Sequence, residues 1–168
     1  MTVFVTLRTL HIVCAALWLG SATLLGLFVL PAVDRLGSDA GRVMTSLQRT
    51  GLNAFMASIS GLTVLSGLYL YWRATADPTF SGSTTGIVLG IGGLLGLASA
   101  IVGGSLVGRA ARNLAAAGES LSTTTDAASR TALLADMTRL HTQLKTFGHV
   151  VTGMLFITAI LMAIAHYV

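Results

Sequence analysis

The sequence predicts an all-α integral membrane protein, a four-helix transmembrane bundle whose third and fourth helices project into the cytoplasm. Three observations carry that expectation. Of the 168 residues, 54% are hydrophobic and only 10% charged, against ~25% charged in an average soluble domain. Mean hydropathy is +0.81. Four apolar segments, at about 10–33, 51–72, 86–108 and 147–168, reach the length that an α-helix needs to cross a bilayer core. A chain of this length holds one membrane domain and no separate soluble one.

After Arg8 the first segment runs without a formal charge to Val33, where Asp34, Arg35 and Gly37 close it. It is too long for the apolar region of a signal peptide and lacks a small-residue cleavage site after it, so it reads as a retained span. A short connection with Arg35, Arg42 and Arg49 leads to the second segment, Gly51 to Trp72, which stops at Arg73. Asp77, Pro78 and a Ser/Gly/Thr run then form a turn-rich loop. The third segment, Gly86 to Gly108, stops at Arg109. Farther on, Leu133, Met137, Leu140 and Leu144 recur at helical spacing, and Phe147 continues the stripe. The fourth helix should therefore start well before the membrane and the third should extend to Ala117. A turn around Gly118 to Thr125 would make the region of about 109–146 a helical hairpin.

Basic residues orient the bundle. Arg35, Arg42, Arg49, Arg109, Arg112, Arg130, Arg139 and Lys145 fall on one side, and only Arg8 and Arg73 on the other. Positive charge is retained on the cytoplasmic side, so both termini should face outward, with Tyr69, Tyr71, Trp72 and Tyr167 as an outer aromatic belt. The formal net charge of +4 and pI near 10.0 follow from this topology and from contact with an anionic bilayer, not from nucleic-acid binding.

A titratable group at membrane depth is a candidate functional residue, because burying it in hydrocarbon is costly. His11, Cys14, Ala15 and Trp18 share one face of the first helix. An antiparallel fourth helix would bring Met162 and His166 to similar depth. Imidazole, thiolate and thioether together suit copper, and imidazole alone suits haem iron. His11 and His166 are thus candidate haem ligands, and His11, Cys14, Met162 and His166 a candidate copper set. A plainer reading stands beside each: a hydrogen bond from His11 to a neighbouring helix, an interfacial His166, and apolar packing for Cys14 and Met162. His149 with Met56 forms an alternative haem pair toward the cytoplasmic side, while His141, in the projecting arm, should be solvated.

On the third helix, Gly86, Gly90, Gly93, Gly104 and Gly108 fall close to one face. Such a face suits tight helix packing, or leaves room for a flat cofactor, a partner or a second copy of the chain. Other chemistries find no support. No acidic residue lies inside a span, the single Cys14 cannot form an intrachain disulfide, and no phosphate-binding glycine motif, CxxC or HExxH occurs.

The opening stretch TLHIVCAALWLGSATLLGLFVLPAV, with Leu10, His11, Trp18, Gly20 and Pro31, resembles the first span of a bacterial superfamily. That superfamily includes copper-resistance D-type membrane domains and HemJ-type protoporphyrinogen oxidases. SGLYLYW at Ser66 to Trp72 is similar to four-span bacterial membrane proteins grouped near them. The resemblance implies a bacterial plasma-membrane protein with haem b at the position of His11, or copper handling. The membrane lysine on which the oxidases rely has no counterpart here, since the only lysine is Lys145. The functional expectations are three. The first is a haem b-binding redox component near the outer face, exchanging electrons with a quinone or a partner subunit. The second is a copper-handling protein without enzymatic activity. The third is a structural or assembly subunit docking through the glycine face, with itself or with a partner.

Overall fold

A computed structural model describes residues 2–165 and 167, the side chains of Asp34 and Ser38 excepted. The chain is helical, with no strand among the described residues. Its helices are α1 (Thr2–Val33), α2 (Ala40–Arg49), α3 (Leu52–Ala74), α4 (Thr84–Thr123) and α5 (Ala127–Ile164). All but α2 are long and apolar enough to cross a membrane, the construction of a multi-pass membrane protein. α1 packs chiefly on α3 and α4 on α5, while α3–α4 and α1–α5 contacts close an up-and-down ring. Large side chains such as Phe28, Leu65 and Leu94 point away from the ring, as a lipid-facing surface requires.

The helices outrun the apolar segments. α4 has 40 residues and α5 has 38, which at 1.5 Å per residue is ~60 and ~57 Å, about twice a hydrocarbon core. The connection between them is shorter than the sequence led us to expect. α4 continues through Gly118 to Thr123, and the chain reverses over Thr124 to Asp126. The Asp126 carboxylate accepts a 2.8 Å hydrogen bond from the Ser129 amide and so caps α5. Gly118 does not end a helix because it has another use. α2 crosses α4 there, and a Cβ on Gly118 would lie 2.9 Å from the Gly41 Cα.

α2 itself was legible only as a short connection. Val43, Met44 and Leu47 face inward and join a core with Leu114, Met137 and Leu140. Arg42 and Arg49 stay outside, 3.8 Å from Asp39 and 3.7 Å from Glu119. Gly51, at φ 83°, then turns the chain into α3, a conformation that costs glycine little. A second, smaller core lies deeper along the bundle, where Trp18 packs with Ile59, Val151 and Leu155.

Two spans contain a single π-helical turn, Leu25–Val29 in α1 and Gly103–Val107 in α4. In each, the following amide reaches five residues back, Leu30 N–H to Leu25 O and Gly108 N–H to Gly103 O. The first has a local cause. Pro31 has no amide hydrogen, and its ring crowds the preceding turn, so widening that turn relieves the clash. The second begins at the Gly103–Gly104 pair, where no side chain resists the wider turn.

Candidate functional site

His11 is half-buried between α1 and α3. Its Nδ1 lies 2.8 Å from the Thr63 carbonyl and 3.2 Å from Ser66 Oγ. A carbonyl only accepts, so Nδ1 carries a proton, and in the neutral ring Nε2 keeps its lone pair. Space for the ring comes from Gly67, where a Cβ would sit 2.8 Å from His11 Cε1. The hydroxyls beside it turn back on their own helix, Thr63 Oγ1 to Ile59 O at 2.7 Å and Ser66 Oγ to Leu62 O at 2.5 Å. Cys14 and Trp18, on the same face of α1, are both buried. Along this face His11 meets α3, while Trp18 packs on Ile59 of α3 and on Val151 and Leu155 of α5.

The remaining candidate ligands lie elsewhere. The Met162 methyl packs against Gly92, 3.2 Å from where a Cβ would stand, so this side chain faces α4. His166 lies outside the described residues. Among the described residues, no group of three or more His, Cys, Asp or Glu could hold a metal ion. His149 is exposed, its Nδ1 2.6 Å from the Lys145 carbonyl of its own helix. Met56 instead borders a slot between the helices whose lining does not include His149. His141, expected in solvent, is half-buried where α5 packs at the α2 end of the molecule.

The glycines of α4 have separate environments. A Cβ on Gly86 would strike the Phe80 carbonyl, and one on Gly90 would meet the Tyr71 hydroxyl at 2.9 Å. Gly108 lies beside Arg112, while Gly93 and Gly104 are exposed with nothing within 4 Å of a Cβ. Packing on α3 accounts for Gly90, and the loop folded back before α4 accounts for Gly86.

The slot lies between the two cores and has a volume of about 200 Å³. Both π-turns form its walls, as do Trp18 at one end and Gln48, Asn53 and Arg112 at the other. The slot opens to the outside at the exposed Ala57, Gly104 and Arg112, and π-turns often mark functional sites. The sequence signals for it were Pro31 and the Gly103–Gly104 pair. For His11 the missed signal was the small, polar series Thr63, Ser66, Gly67 on the second span.

Comparison with known proteins found no matching family model, no matching curated protein and no matching solved structure.

Proposed function

We propose that this multi-pass membrane protein binds haem b through His11 and works as a membrane redox component. The observation that carries the reading is the Nδ1 hydrogen bond to the Thr63 carbonyl. An imidazole that ligates a metal almost always donates its other ring N–H to a carbonyl or carboxylate, which fixes the tautomer and raises the basicity of the free nitrogen. His11 has that arrangement, with Gly67 leaving room for the ring. Porphyrin brings four nitrogens of its own, so one protein imidazole suffices to hold the iron. Copper held only by side chains needs several donors together, and Met162 faces α4 instead; this favours haem over copper. A bound haem would supply one-electron chemistry. The residues of this chain would set the ligand's tautomer and keep the iron in an apolar, lipid-side setting, with a quinone or a membrane redox subunit as exchange partner. The charge distribution of the connections supports a bacterial inner-membrane location with both termini outside, which puts His11 toward the outer face.

The test is the oxidised and dithionite-reduced absorption spectrum of protein purified in mild detergent from haem-replete cells. A Soret band with sharp reduced α and β bands is expected, and His11→Ala should remove it while the helical circular dichroism persists. A colourless wild-type protein overturns the reading. His11 would then serve only as a hydrogen-bonded link between α1 and α3.

A further inference from the structure

The slot between the two cores is not used by the His11 reading and stands independently of it. We propose that it binds a single-chain anionic amphiphile, a long-chain carboxylate, with the chain toward Trp18 and the carboxylate at Arg112. Shape is the first argument. Along α1 the lining runs from Trp18 to Leu30 and along α4 from Ala100 to Arg112, which at 1.5 Å per residue is ~18 Å. A volume of about 200 Å³ drawn out over that length suits one flexible chain.

Chemistry along the slot is the second argument. The deep walls are apolar, with Trp18, Ala22, Ala100 and Val151. The Ser60 and Thr152 hydroxyls there donate to their own helix, at Ala57 O (3.2 Å) and Gly148 O (2.9 Å). Bare backbone at Gly103 and Gly104 opens the wall where α4 widens into its π-turn. Polar side chains gather at the other end: Gln48 from α2, Asn53 from the first turn of α3 and Arg112 from α4. Among the described residues no carboxylate lines the slot and its one charged group is a cation, whose planar guanidinium matches a carboxylate bidentately. An apolar tube ending in an arginine and two amides has the polarity of a fatty acid.

Trp18 makes this measurable, because it lines the slot, while Trp72, the second tryptophan, is exposed near the end of α3. In full-length W72F protein in detergent, dibromostearate should quench Trp18 fluorescence saturably. R112Q should weaken that binding by about tenfold, the scale of a lost charge-assisted hydrogen bond. G104L, at a residue of the slot's wall, should abolish the saturable phase. Arg112 is exposed, so R112Q keeps the test valid even where G104L fails to fold. Quenching that never saturates, equal affinity for the methyl ester, or an unchanged curve in R112Q overturns the proposal. Displacement of the probe by diacyl phosphatidylglycerol at lower concentration than by stearate also overturns it, in favour of a phospholipid site.

Discussion

Between His11 and Gly67 the decisive quantity is a distance. An added Cβ at Gly67 would lie 2.8 Å from Cε1 of a ring that the Thr63 carbonyl holds in place. Overpacking of this kind costs about 1–3 kcal/mol, and a ring that swings away loses an interhelical hydrogen bond worth ~0.6 kcal/mol. The gain in helix propensity from glycine to alanine is ~1 kcal/mol, so the clash wins. Gly67→Ala should lower stability by about 1 kcal/mol and, under the haem reading, weaken or shift the Soret band. Gly61→Ala on the same helix is the control, since a Cβ there meets nothing within 4 Å, and it should gain up to ~1 kcal/mol from helix propensity. Thermal unfolding in detergent, followed by circular dichroism, separates the two; equal effects would remove the structural role given to Gly67. The sequence disclosed the face carrying His11, Cys14 and Trp18, because helical spacing alone decides it. It did not disclose the partner helix. That depends on how each helix is rotated about its axis, which in a bundle is set by small contacts such as the seat at Gly67.

Secondary-structure elements show the same division. Periodicity anticipated that the third and fourth helices would run past their apolar segments, and they do. The turn between them was misplaced, because Gly118 looks like a helix stop in sequence but is a crossing point in space. A Cβ on Gly118 would meet the Gly41 Cα at 2.9 Å, and one on Gly41 would meet the Gly118 Cα at 3.0 Å. Backbone cannot step aside as a flexible side chain can. Either alanine substitution should lift α2 off α4 and cost about 1–3 kcal/mol. The double variant should cost less than the sum, because both singles break one contact. Limited proteolysis within α2, together with the melting temperature, reads this; strict additivity would show that the helices do not touch there. The cap of α5 adds a pH dependence. Hydrogen bonds from Ser129, side chain and backbone, hold the Asp126 carboxyl below its ordinary value of 3.8. A carboxyl depressed in the folded state contributes its stability fully above that ordinary value and loses it as pH falls through the lowered one. Asp126→Asn retains a capping oxygen without a charge. It should therefore unfold like the wild type near neutrality and show a smaller loss of melting temperature below pH ~4. A matching acid response in the two proteins would remove the role assigned to this cap. The π-turns were not legible from periodicity, since one residue's shift in hydrogen bonding leaves it almost unchanged; only Pro31 and the Gly103–Gly104 pair marked them.

For the whole molecule, the solvent was the most legible property and the direction across it the least directly testable from packing. An outward-facing surface of leucine, isoleucine and phenylalanine is stable only in lipid, whichever way round the bundle sits. Direction rests on charge. The α2 end carries Arg35, Arg42, Arg49, Arg109, Arg112, Arg130, Arg139 and Lys145, while the opposite end has Arg8 and Arg73. Each of these cations resists translocation on its own, so their asymmetry acts collectively and no single substitution should invert the protein. The check uses cysteines in the two kinds of connection. Ser122→Cys lies at the α4–α5 turn and Ala76→Cys in the loop after α3, both in a Cys14→Ala background, since Cys14 is buried and the only native thiol. A membrane-impermeant maleimide should label Ala76→Cys in intact spheroplasts and Ser122→Cys only in inverted vesicles. The reverse pattern would put the α2 end outside, carrying His11 to the cytoplasmic half of the membrane and the arginine-lined slot to the outer half. The chemistry proposed for each would survive that inversion. The compartment supplying electrons to one and amphiphile to the other would exchange.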